Sequence, residues 1–378
     1  MHFDLTDEQR ALSDMVARFL AQEYAFEARK KILRSAEGWS RDTWAKMAEM
    51  GLLGLQVPEE QGGMAPAVVE TLLTMGALGK ALVVEPYLSS AVMGTALLRH
   101  LASDVQKREW LPAMAAGELI AVPAHGEAGA RHELSRVSTS AARKGAGWVL
   151  SGRKAVVLHA PAAGLLLVTA RTSGPDDAEE GISVFAVPAG TSGVDLVAYP
   201  TIDGQRAADV ILDGVEVPAA SLVGPEGGAF PVLSATFDLG VAALCAEAVG
   251  VIQTTLDATL EYTRTRKQFG VPIARFQALQ HRMADMLIHV EQARSMSYLA
   301  AMHAISGDVR ERRRSVSAAK VTIGNACRFV GQQAVQLHGG MGVTDEMAVS
   351  HAFKRLLAIE LSLGDTEHHL ERFIMESK

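Results

Sequence analysis

The sequence predicts an α+β multidomain protein in which a helical segment, a β domain and a helical bundle follow one another, and three observations predict it. The first is at the start of the chain. Thr6 followed by Gln9 has the pattern of a capping box, and Leu12, Met15, Val16, Phe19 and Leu20 then recur at helical spacing, so an amphipathic helix opens the chain and further helices follow to about residue 117. The second is a change of texture between about residues 119 and 224. Short runs rich in valine, ISVFAVP, VDLVAYP and ADVILDGVEVP, are bounded there by Gly, Pro, Asp and Ser, which is the signature of strands and turns. Within this region KGAGWVLSGRKAVVL reads as two strands around a glycine turn, and PEGGAF, at 225 to 230, marks the exit into helices. The third lies in RRRSVSAAKVTIGNACRFVGQQAVQLHGG. Val316, Ala319, Ile323, Cys327, Val330, Ala334 and Leu337 step by three or four, as one buried stripe of a bundle helix does, and Gly339 and Gly340 end it where αL geometry is easy. The segments run 1–118, 119–224 and 225–378.

Composition sets the class of function. At 378 residues and 48% hydrophobic the chain can fill more than one core without disulfide or metal staples. A formal net charge of −7 argues against a broad nucleic-acid face, which needs concentrated Lys and Arg, and favours small-molecule work. Cys245 and Cys327 sit in apolar helical patterns and read as reduced core thiols. The opening MHFDLTDEQR is polar and acidic, and the most apolar long stretch still carries Asp238 and Glu247, so the expectation is a cytoplasmic protein with no membrane span.

The order of these segments, with TRTRKQFG (263–270), FQALQHRMADM (276–286) and QLHGGMGVTDE (336–346), resembles the acyl-CoA dehydrogenase family of flavoproteins. LTDEQ, GLLGLQVPEEQGG (51–63), SGRK (151–154) and EVPAASLVGPEGGAF (216–230) extend the likeness over nearly the whole chain. The resemblance implies a helical N-terminal domain, a central β-barrel-like domain and a C-terminal four-helix bundle, with FAD as cofactor and an acyl-CoA thioester as substrate. It also implies which residues meet FAD. A pyrophosphate wants a cation and backbone donors, and an adenine wants amide edges and an apolar face, needs that Arg266, Gln268 and Phe269 can supply. In the family the matching arginine and phenylalanine reach the neighbouring subunit's FAD, joined by positions matching Gln336, Gly339 and Gly340, where glycine lets backbone approach closely.

The resemblance breaks at the chemistry. In α,β-dehydrogenation a carboxylate removes the α proton while the β hydrogen leaves as hydride to the flavin, so an ionised base must lie within reach of the α carbon. Aligned without gaps from Gly339, the family's usual glutamate falls on Leu363; the alternative position, on the first bundle helix, falls on Gly240, with Val241 beside it where an arginine is usual. In the β domain GEAGARHE (126–133) keeps Glu127 and Gly129 but has Gly126 for a threonine, and Val156, Val157 and Leu158 stand for a tryptophan, isoleucine, threonine run. In the family those positions serve the subunit's own flavin ring, whereas the ones matching Arg266, Phe269, Gln336, Gly339 and Gly340 serve a neighbour's. Some members, including ones acting on steroid side chains, are assembled from two homologous chains of which one makes the active sites, and this chain resembles the less catalytic of such a pair.

Two carboxylates are candidate replacement bases. Asp365 lies two residues past the lost glutamate, and an aspartate is the base in related nitroalkane oxidases; equally, it can be the N-cap of the last helix after Gly364 ends the one before. Glu247 shares a helix face with Gly240 but is displaced by about 10 Å of rise, and reads more simply as a polar bundle contact. Asp238 matches a family position near the pantetheine arm. His338, His351, His368 and His369 do not have the spacing of a metal site, and VRERRRS (309–315) reads as a solvated helix connection. Three functions therefore compete: a subunit completing the FAD site of a homologous chain, a self-sufficient dehydrogenase using Asp365 or Glu247, and a non-enzymatic assembly protein. The expected partners are an acyl-CoA, a homologous chain or a second copy in a dimer or tetramer, and an acceptor such as an electron-transfer flavoprotein.

Overall fold

The structure, a computed structural model, describes residues 5–64 and 67–378; the first four residues of MHFDLTDEQR lie outside that description. Six α-helices open the described residues: α1 (Asp7–Glu23), α2 (Phe26–Arg34), α3 (Arg41–Glu49), α4 (Val68–Ala81), α5 (Thr95–Leu101) and α6 (Asp104–Ala115). Thr6 and Gln9 form the expected capping box at α1, and Ser103 with Gln106 makes a second at α6. Eight strands follow: β1 (Ala121–Ala124), β2 (Ser140–Lys144), β3 (Gly147–Leu158), β4 (Leu165–Arg171), β5 (Ile182–Pro188), β6 (Val194–Pro200), β7 (Arg206–Pro218) and β8 (Leu222–Val223). Then come α7 (Phe230–Thr265), the hairpin β9 (Lys267–Gln268) and β10 (Val271–Pro272), α8 (Gln277–His303), α9 (Val309–His338), α10 (Ala348–Leu361) and α11 (Thr366–Glu376).

Contacts gather these elements into two compact units. The first joins α1, most of α2, residues 72–83 and residues 241–378; the second holds residues 32–71 and 84–240. The inclusion of α4 in the first unit has a local cause. A Cβ at Gly79 would lie 2.2 Å from the carbonyl oxygen of Glu247, and one at Gly250 would lie 2.0 Å from that of Gly76, so only glycine lets the α4 and α7 backbones touch. From α2, buried Arg29 donates to the Leu82 carbonyl at 2.6 Å and bonds His351 of α10 at 2.9 Å.

In the second unit the strands make one sheet, β6-β7-β3-β2-β4-β5-β8, with β1 parallel to β4. Its two halves meet through one residue pair, Ser140 opposite Arg171. Trp148 and Phe185 stack edge to face at 5.3 Å inside it, and Val57, Leu97, Leu111, Leu167, Val184 and Leu233 pack a shared core. The KGAGWVLSGRKAVVL stretch differs in detail from its sequence reading. Its turn is Gly145–Ala146, between β2 and β3, and the third glycine, Gly152, lies inside β3 at a register shift with φ +152°, where a Cβ would come within 2.7 Å of Thr139 backbone.

In the first unit α7 from residue 241, α8, α9 and α10 form the bundle and α11 packs on α9. The predicted α9 stripe, Val316 to Leu337, is buried throughout. The helix ends at Gly339 with φ +61° and ψ −141°, a region open essentially to glycine and distinct from the αL cap expected. By length and composition α7 is apolar enough to cross a membrane, but 83% of its most apolar window is buried in the protein, as a core helix is. Both cysteines are buried, and burial pushes the thiols up, Cys245 to about 12. The VRERRRS run is not a connection. Capped by Asp308, it forms the first turns of α9, and Arg310 and Arg313 hold the C-terminal end of α11 through the Glu376 carbonyl and carboxylate.

Candidate functional site

One end of the bundle carries the six residues assigned to FAD. Arg266 follows directly on α7, with its amide bonded to the Tyr262 carbonyl at 2.8 Å and its carbonyl accepting from Ile273 at 2.9 Å, so its backbone is locked at the base of the β9–β10 hairpin. Phe269 and Gly270 form the two-residue turn, with φ of +54° and +81°, the pattern of a type I′ hairpin. A phenylalanine in that region costs on the order of 1–3 kcal/mol. The tip nevertheless holds the ring 92% exposed, edge to face with Phe276 at 6.1 Å between centroids. The Tyr262 ring stacks on His338 at 4.3 Å and its hydroxyl donates to the His338 carbonyl at 3.3 Å, which brings the end of α7 to the end of α9. There Gln336, Gly339 and Gly340 are exposed, and a Cβ at either glycine would meet nothing within 4 Å.

This set fits a dinucleotide. An exposed cation, an amide, an aromatic face and an open glycine backbone share one surface, and among the described residues the Arg266 guanidinium has no hydrogen-bond or ion-pair partner. Phe269 is thus solvent-facing at a backbone φ that its residue type disfavours.

In the second unit the segment that the resemblance assigns to the flavin ring holds an anchored carboxylate and a strained valine. Glu127 accepts from the amides of Ser138 (2.8 Å) and Thr139 (3.0 Å), from the Thr139 hydroxyl (2.7 Å) and from fully buried Lys154 (2.6 Å). Burial alone would raise its carboxyl, but the Lys154 ammonium and the Thr139 bonds override that and hold it at about 2. The retained glutamate is thus an anchor. Val156, where the family has an indole, is 57% exposed at φ +53°, a strained position for a β-branched residue. Its amide is held by Asp209 at 3.0 Å, which also accepts from Tyr199 (2.7 Å) and Arg153 (2.6 Å).

Neither candidate base is an uncommitted carboxylate. Asp365 is the N-cap of α11, its Oδ1 accepting from the His368 amide at 2.8 Å. Glu247 is 5% exposed and held in a bidentate pair with Arg355, at 2.6 and 2.7 Å, so the polar bundle contact read from the sequence takes the form of a buried ion pair between α7 and α10. At the usual base positions stand half-buried Leu363, at φ +56°, and Gly240, buried within α7; Asp238, two residues before it, is fully buried. The histidines have structural roles: His369 donates to the Leu363 carbonyl at 2.9 Å, and His351 bonds Arg29. Two residues near position 363 were not singled out from the sequence. Lys320 interrupts the apolar stripe of α9 and is 1% exposed, and Glu360 accepts from Arg328 and from Thr366. A lysine between Ala319 and Ile323 was the available signal. As a cap, Asp365→Asn is expected to leave thermal stability and activity of the assembled protein close to the parent, and Asp365→Ala to cost about 1 kcal/mol. A loss of turnover of about 10²-fold with the fold intact in the Asn variant would make Asp365 the base.

Models of the acyl-CoA dehydrogenase N-terminal, middle and C-terminal domains match residues 6–118, 124–215 and 227–377. The chain is 32% identical over 372 residues to the protein named "Probable acyl-CoA dehydrogenase YngJ" of Bacillus subtilis (strain 168), covering 97% of each. Among solved structures, a chain of the ChsE4-ChsE5 complex from Mycobacterium tuberculosis matches with TM-score 0.89 and 28% identity, over 100% of this chain and 99% of that one. A chain of the Tcur3481-Tcur3483 steroid ACAD matches with TM-score 0.87 and 27% identity, over 98% of each. With family models matching three successive stretches from residue 6 to residue 377 and a relative 32% identical over 97% of its length, this chain belongs to the acyl-CoA dehydrogenase family of FAD-dependent oxidoreductases.

Proposed function

We propose that this chain completes the FAD site of a homologous partner in the α,β-dehydrogenation of an acyl-CoA thioester, and that the partner supplies the catalytic carboxylate. One observation carries the reading. The residues a subunit lends to its neighbour, Arg266, Gln268, Phe269, Gln336, Gly339 and Gly340, are present, exposed and held on a fixed frame, while both positions that would carry a base hold Leu363 and Gly240. FAD, when bound, accepts the β hydrogen as hydride. This chain's contribution is to hold the dinucleotide: Arg266 meets pyrophosphate charge, Phe269 offers an aromatic face, and the Gly339–Gly340 backbone allows close approach. The two-chain names of the similar solved structures support a paired assembly, and the steroid named for one of them extends the substrate class to bulky acyl groups. The reducing equivalents pass to an acceptor of the electron-transfer flavoprotein type.

A self-sufficient dehydrogenase is the second reading, and the engaged states of Asp365 and Glu247 weigh against it. Flavin per chain and acyl-CoA-dependent dye reduction separate the two. The chain alone is expected to retain little FAD or to hold it without turnover, and co-expression with a homologue that carries an intact base should give a yellow, active complex. A homo-oligomer with one FAD per chain and brisk turnover overturns the paired reading.

A further inference from the structure

The segment between α10 and α11 is gripped on both sides of residue 363 by one buried side chain. Lys320 of α9 is 1% exposed, and its ammonium donates to the carbonyls of Ile359 at 3.0 Å, Glu360 at 2.8 Å and Gly364 at 2.7 Å. An ammonium has three N–H donors, and all are spent on these carbonyls. Two of the acceptors are among the orphan carbonyls at the end of α10, and the third belongs to a glycine at φ +104°. Between them Leu363 sits at φ +56°, and its own carbonyl accepts from His369 at 2.9 Å. His369 is in turn oriented by the Ser317 hydroxyl, 3.2 Å from Nδ1.

None of the three bonds is to a carboxylate, for Glu360 turns its Oε1 to Arg328 and Thr366. An ammonium buried without direct ion pairing costs several kcal/mol, and an apolar side chain would serve the α9 stripe better. Helix termination does not demand it either, since a glycine cap does that with no charge. What the lysine adds is a fixed backbone at 359–364, the segment that carries the base in the family.

We propose that Lys320, with His369, is the positioning residue for site 363: it fixes the strained backbone on either side so that the side chain at 363 is presented in one place and direction. This rests on reading position 363 as the family's base position, and it means that the seat has outlived the glutamate. The chain keeps the device and places a leucine in it.

Two measurements on the full chain, neither of which uses flavin or partner, test this. A nitroxide attached through Leu363→Cys reports the order of the site, and the two native thiols are buried away from the reagent. The label should be immobilised with Lys320 present and gain a mobile component in the Lys320→Met background. Amide exchange over residues 362–369 should rise by about tenfold or more in Lys320→Met with α8 unchanged, because the opening is local. Lys320→Gln keeps a donor and should give a smaller change in the same segment; it also serves if the methionine variant does not fold. An unaltered spectrum and unaltered local exchange, or exchange that rises equally in every helix, would overturn the proposal. Failure of the paired reading would show in flavin stoichiometry and leave both readouts as they are.

Discussion

Arg355→Met is expected to lower the unfolding free energy by about 3–5 kcal/mol, because it strands the Glu247 carboxylate in the bundle core. The pair is 6% and 5% exposed and bidentate, with Nε and one terminal nitrogen each on a different carboxylate oxygen, so water cannot substitute for the lost guanidinium without opening the contact between α7 and α10. The backbone around it has little room to adjust, since the Glu247 carbonyl already lies where a Cβ at Gly79 would be. Removing both charges has a different effect. Arg355→Met combined with Glu247→Leu should recover most of the loss, because two apolar groups of similar volume repay what the ions owed to desolvation. Denaturant unfolding of the single and double variants checks the energetics, and turnover of the assembled complex checks the chemistry. A single-variant loss under about 1 kcal/mol would show the pair to be wetter than its burial implies. A stable double variant that has lost turnover by about 10²-fold or more would return Glu247 to the role of base.

What could be read from the sequence, and what could not, follows the range of the interaction concerned. The Thr6 capping box, the α9 stripe and the change to strands near residue 119 rest on neighbours within a few positions, and all stand in the structure. The residues that the resemblance assigns to FAD lie in two local runs, TRTRKQFG and QLHGG, and nothing in them indicated that Tyr262 and His338 would bring the two runs together. The partner of Glu247 is 108 residues away, and an isolated glutamate on an apolar helix gives no sign of which arginine it meets. Lys320 is the same case, its carbonyl acceptors lying 39 to 44 residues on. Local preference misleads outright at Val156, Phe269 and Leu363. Each adopts a positive φ that its residue type disfavours, so propensity points away from the geometry that the surrounding bonds impose. All three fall at positions that the resemblance assigns to flavin contact or to the base.

Arg266→Ala should weaken retention of FAD by the assembled complex by about 1.5–3 kcal/mol, the worth of a charge-assisted hydrogen bond, which is roughly a 10- to 150-fold change in dissociation constant. The reason the effect should be confined to binding is visible in the surroundings of the side chain. Only the backbone of Arg266 is engaged, at 2.8 Å to Tyr262 and 2.9 Å to Ile273, and among the described residues its guanidinium meets no partner. Truncation therefore removes nothing that holds the bundle or the hairpin, and the unfolding midpoint of the chain should not move. Phe269→Gly sharpens the argument because its two consequences have opposite signs. Glycine accepts the φ of +54° without cost, so the chain should gain about 1 kcal/mol of stability, while the complex loses the aromatic face and with it flavin. Both are measured by flavin released on dilution of the purified complex, with thermal unfolding of the isolated chain alongside. If the phenylalanine were there to support the fold, Phe269→Gly would destabilise the chain and leave flavin in place. Undiminished FAD affinity in both variants would remove this end of the bundle from the site, and with it the main support for a chain whose task is to hold its partner's cofactor.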